Sequence, residues 1–85
     1  MRKAIFSKGQ EQLQNLLRST REAAGLTQTQ AAVKLKKPQS FISKIESGER
    51  RLDLIELKQV CTALGVSVTD FVKNWEKIQD KKQNI

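Results

Sequence analysis

Apolar residues recur at helical spacing in five separate stretches, and polar punctuation divides them. Leu13, Leu16, Leu17, Thr20 and Ala24 mark one face of the first stretch. Ala31, Ala32 and Leu35 mark the second, and Phe41, Ile42 and Ile45 the third. Leu57, Val60, Cys61 and Leu64 follow at i, i+3, i+4 and i+7, and Val68, Phe71, Val72, Trp75 and Ile78 run along the fifth. No stretch alternates with the period of a strand. Start signals precede the apolar faces: Ser7 with Gln10, Thr27 with Gln30 and Asp53 with Glu56 have capping-box spacing, and Ser67 with Asp70 marks the fifth start. Gly25, Gly48 and Gly65 stand where helices should stop. The pattern predicts an all-α fold of five helices with short connections. It forms one domain over residues 1–85, with a core from about 8 to 80 and flexible ends. Met1 to Phe6 reads as irregular, with Arg2 and Lys3 either solvated, the commoner case for terminal charges, or reaching a phosphate, and Asp80 to Ile85 reads as a linker-like tail.

The second and third helices stand closest together. Pro38 disfavours helical backbone at Lys37 and suits the opening of a helix, so the chain must turn at Lys36-Lys37-Pro38. Two short helices with small sticky faces across a tight turn describe a helix-turn-helix. The second of the pair, at about 38–46, carries Gln39, Ser40, Ser43 and Lys44 opposite Ile42 and Ile45. Those four positions are polar and hold no acid. A glutamine can pair with adenine N6/N7, a lysine can donate to guanine O6/N7, and serines serve base or phosphate. Gln28 lies at the exposed start of the second helix, where free N–H groups favour a phosphate.

Charge sharpens this reading. The chain of 85 residues has a net charge of +7, with no histidine. Between Lys34 and Arg51 there are six basic residues and two acids, so +4 of the excess lies on the helix pair. Lys36, Lys37, Arg50 and Arg51 surround the polar face and are candidates for phosphate contacts. Double-stranded DNA is the partner this arrangement predicts. The lone Cys61 sits in a core stripe and reads as a small buried hydrophobe. Without histidine or a second cysteine, no zinc or iron–sulfur site is expected. Nucleophile–histidine pairs and phosphate-binding glycine loops are missing, so neither an enzyme nor a cofactor is expected. No apolar run approaches the roughly 18 residues of a membrane span, and a single cysteine suits a cytoplasmic protein.

Over residues 11–75 the chain resembles the lambda-repressor-like helix-turn-helix family of Xre/Cro type. The resemblance rests on Gly25-Leu26-Thr27-Gln28, Ala32, Gln39 to Glu46, Gly48-Glu49-Arg50 and Ala63 to Ser67. It implies a five-helix domain that regulates transcription, commonly as a repressor, and binds a partly palindromic operator as a homodimer. It implies that Gln28 meets phosphate and that Gln39, Ser40 and Lys44 face bases. It also implies an internal ion pair between Arg21 and Glu46. The chain departs from the family pattern at Lys36-Lys37-Pro38, where members often carry Gly, an apolar residue and a hydroxyl that caps the recognition helix.

Helix 5 has more apolar surface than a small core needs, and Leu52 and Leu54 have no evident core partner. Leu52, Leu54, Trp75 and Ile78 are therefore the expected homodimer interface. The competing reading of Trp75 is an intrachain cap over the core against helix 1. A second function class is a protein-interaction module, such as an antitoxin docking a toxin. The acid-free polar face argues for DNA instead, because a docking helix would show an apolar cluster.

Overall fold

The computed structural model describes residues 7–83, with side chains through Asp80. Among these residues there are five helices and no strand: α1 Lys8–Ala23, α2 Gln28–Leu35, α3 Gln39–Ser47, α4 Leu54–Leu64 and α5 Val68–Gln83. Arg2 and Lys3 lie outside the described residues. Helix α5 runs to Gln83, so much of the segment read as a linker-like tail is helical.

The starts are capped as their sequences dictate. Ser7 Oγ accepts the Gln10 amide at 3.2 Å, and Ser67 Oγ accepts the Asp70 amide at 3.0 Å. Thr27 with Gln30 and Asp53 with Glu56 form complete reciprocal boxes, each satisfying two otherwise orphaned N–H groups. Helix α3 differs. Its N-cap is Pro38, which offers no side-chain hydrogen bond.

Helices α2 and α3 pack on each other, α1 lies against α3 and α5, and α4 against α2 and α5. Leu17, Ala31, Ala32, Ile42, Ile45, Val60, Cys61, Leu64 and Phe71 form one buried cluster. Ala31 and Ala32 are small enough to let α2 come close to its neighbours. Burial pushes the Cys61 thiol up to about 11, so it stays protonated as a packing group.

Two features differ from the periodicity. Helix α1 buries Gln12, Gln14 and Arg21 together with Leu17, while Ala24 is an exposed cap residue. A Cβ on Gly48 would come within 2.7 Å of the Gln14 Oε1, so the α3–α4 turn rests directly on this amide. Leu52, read as lacking a core partner, packs against the core cluster. Its place between α3 and α4 turns it inward, which periodicity within a loop does not predict.

Candidate nucleic-acid interface

A run of polar contacts holds the helix-turn-helix together from the inside outward. Arg21, in the last turn of α1, donates from Nε to Glu46 Oε2 at 2.6 Å and from Nη2 to Oε1 at 3.0 Å. Its Nη1 donates to the Leu26 carbonyl at 2.8 Å. The two side chains are only 9% and 6% exposed. Hydrogen bonding to Glu46 outweighs the opposing pull of burial and raises the Arg21 pKa above its ordinary value. Gln28 Nε2 donates to Glu46 Oε1 at 3.0 Å, and Gln39 Nε2 donates to Gln28 Oε1 at 2.7 Å. One continuous chain thus links α1, the end of α3, the start of α2 and the start of α3.

The outer surface of α3 follows from its burial pattern. Ile42 and Ile45 face the core, Gln39, Ser40 and Lys44 are exposed, and Ser43 is half-buried between them. The structure therefore brings together the four residues read as base contacts. Lys36, Lys37 and Arg51 are exposed around them, while Gln28 is half-buried.

Arg50 has internal partners that its sequence position does not suggest. Its guanidinium meets Glu56 at 3.1 and 2.7 Å and stands 4.9 Å from the Phe41 ring centroid. Lys37 Nζ lies 5.4 Å from the centroid of the same ring. The Arg50 hydrogen bond is the main reason that the Glu56 carboxyl is lowered to about 2, with the Asp53 amide and the Lys37 charge adding to it. Local spacing assigns Glu56 only a capping role and Phe41 only a core role. No spacing rule pairs a loop arginine with an acid six residues on. Beyond the turn, a shallow groove between α2 and α4 is lined by Lys34, Lys36, Lys37 and Lys58. Lys34 and Lys58 extend the basic rim past the residues chosen from sequence.

At the proposed dimer surface, Leu54 is 72% exposed, and so is its neighbour Ile55, which sequence reasoning passed over. The Trp75 indole N–H donates to the Gly9 carbonyl at 3.0 Å, which ties α5 to α1. Trp75 is nonetheless part-exposed. With Leu13, Leu57, Phe71 and Val72 it lines an apolar hollow of about 130 Å³. Ile78 is half-buried. Among the described residues no helix is long and apolar enough to cross a membrane, and no group of three or more His, Cys, Asp or Glu side chains can hold a metal ion.

A short helix with an acid-free polar face, braced by a second helix across a tight turn and rimmed by cations, defines a helix-turn-helix DNA-binding protein. The helix-turn-helix family model matches residues 17–71, and the chain belongs to this family, in its XRE-type branch of DNA-binding transcription regulators. An XRE-family like protein from Pseudomonas syringae pv. tomato is 39% identical, with a TM-score of 0.81 over 89% of this chain and 93% of that one. The restriction-modification controller protein C.Esp1396I, solved as a tetramer with its natural 35 base-pair operator, is 27% identical. Its TM-score is 0.77 over 84% of this chain and 93% of that one. The clp gene regulator ClgR from Corynebacterium glutamicum is 30% identical, with a TM-score of 0.74 over 84% and 92%. No curated protein matches this sequence.

Proposed function

We propose that this protein is a sequence-specific regulator of transcription in the cytoplasm, binding double-stranded DNA as a homodimer on a palindromic operator. Helix α3 lies in the major groove. The observation that carries this reading is the Arg21–Glu46–Gln28–Gln39 chain, which preorganises the first residue of α3. Gln39 gives one N–H to Gln28 and keeps its second N–H and its carbonyl, the pair needed to read adenine N6 and N7. Ser40, Ser43 and Lys44 complete the base-reading face. Gln28 at the start of α2, Lys36 and Lys37 in the turn, and Arg51 beyond α3 meet the backbone on either side. The operator-bound state of the C.Esp1396I controller supports pairing of subunits on DNA.

Selection from random-sequence duplexes, followed by affinity measurements on single-base variants of the selected operator, tests the reading. Gln39→Ala should lose discrimination at one base pair per half-site, about 1–3 kcal/mol there. Arg51→Ala should weaken binding to every variant about equally. Matching patterns for the two substitutions would refute the division between base and backbone contacts.

A further inference from the structure

Arg50 and Arg51 stand side by side in the loop that leaves the recognition helix, and charge alone makes both look like phosphate contacts. The geometry gives Arg50 a set of internal partners. Arg50 Nη1 donates to Glu56 Oε1 and to the Arg51 carbonyl, both at 3.1 Å, and Nη2 donates to Glu56 Oε2 at 2.7 Å. Three of its five N–H donors are thereby committed within the protein. Its guanidinium lies against Phe41, from the first turn of α3. Its backbone N–H donates to the Lys44 carbonyl at 3.2 Å. Glu56 is anchored in turn: its Oε1 accepts the Asp53 amide at 3.0 Å, and its own amide donates to Asp53 Oδ1 at 2.7 Å. One side chain therefore bridges α3 and the capped start of α4 across the loop. Two N–H groups remain, but a phosphate that took them would stand beside the Glu56 carboxylate, whose charge opposes it and already neutralises the guanidinium.

We propose that Arg50 is a positioning residue of the DNA interface: latched between Phe41 and Glu56, it holds the end of α3 and the 48–53 loop so that Lys44 and Arg51 meet the DNA, and it neutralises no phosphate itself. The inference rests on the DNA-binding reading above. The lowered carboxyl of Glu56, at about 2, keeps the latch charged throughout the neutral range.

The test measures affinity against salt on one selected operator for wild type, Arg50→Gln, Arg51→Gln and Glu56→Gln. Arg51→Gln should flatten the log–log salt slope by about 0.9 per protomer, the signature of a lost phosphate contact. Arg50→Gln should weaken binding about tenfold at every salt concentration while leaving the slope unchanged. Glu56→Gln should also weaken binding with an unchanged slope. That sign is diagnostic, because removing an acid near DNA strengthens binding on Coulombic grounds alone. The glutamine amide oxygen can still accept the Asp53 N–H, so this variant removes the charge and the Oε2 bond of the latch without uncapping α4. It also carries the comparison should Arg50→Gln fail to fold by circular dichroism. A flattened slope in Arg50→Gln, or tighter binding with a steeper slope in Glu56→Gln, would show that Arg50 reaches phosphate and would overturn the proposal. A wild-type chain that binds no duplex removes the DNA-binding reading itself, an outcome distinct from either of these.

Discussion

At the scale of single residues, the buried Arg21–Glu46 pair is the most consequential contact. Both charges have left water, so the pair adds less net stability than its geometry suggests, but removing one partner strands the other. Glu46→Ala should therefore cost about 3–5 kcal/mol of unfolding free energy. Glu49 is exposed and, among the described residues, has only a 3.4 Å contact from Ser47 Oγ, so Glu49→Ala should change the melting temperature little. Equal losses in thermal denaturation would contradict the pair's structural role. Glu56 yields a prediction about pH. Its folded value of about 2 lies below the reference 4.5, so the folded state favours the ionised form. That contribution is complete above about pH 4.5 and disappears as the pH falls towards 2. The stability gap between wild type and Glu56→Gln, followed by chemical denaturation, should be constant near neutrality and close over this acid window. A gap that persists unchanged at pH 2 would contradict the ion pair as its source.

At the scale of elements, the turn before α3 carries a local conflict. Lys36 ends α2 in the left-handed region, at φ 59° and ψ 41°. A side chain there costs roughly 1–2 kcal/mol relative to glycine, partly offset by the greater freedom glycine has when unfolded. Lys36→Gly should accordingly stabilise the fold by about 0.5–1 kcal/mol. It should also flatten the salt slope by about 0.9 per protomer if Lys36 meets phosphate. A destabilised variant would mean that this backbone position carries no strain. The lysine makes sense as a cation kept in the turn at the expense of stability. Helix α3 has only nine residues and an uncapped start, so it cannot hold its shape alone. Its orientation comes from Ile42 and Ile45 in the core and from Glu46 and Gln39 in the polar chain.

At the scale of the whole molecule, one short recognition helix reads only a few base pairs. In the proposed homodimer, two copies related by a two-fold axis would place theirs about 34 Å apart, one turn of DNA. Leu54 lies one helical turn before Leu57, which lines the apolar hollow with Val72 and Trp75, so an exposed apolar surface runs from α4 towards α5. Trp75→Ala would disturb both this surface and the bond to Gly9. Leu54→Asp is the cleaner probe, because Leu54 contributes little to the core. In sedimentation at micromolar concentration the wild type should be a dimer and Leu54→Asp a monomer of nearly unchanged melting temperature. A wild-type monomer would dispose of the dimer. Lys36, Lys37, Lys44 and Arg51 in two copies should give a salt slope steeper than about −5 even without Arg50, whereas a slope near zero would rule out DNA binding.

Sequence and tertiary structure divide the explanation along a physical line. Helix number, the capped starts, the glycine stops and the polar face of α3 were legible because each depends on residues three or four positions apart. The ion pair joining residues 21 and 46 was visible only through family resemblance, since nothing local brings them together. What the tertiary structure alone decided depends on contacts between elements. It buried Gln12 and Gln14 on α1, turned Leu52 into the core and bound Trp75 to Gly9. It also gave Arg50 to Glu56 and Phe41. Charge along a chain places cations near an interface, but only the packing of α3 against α4 gives Arg50 its partners.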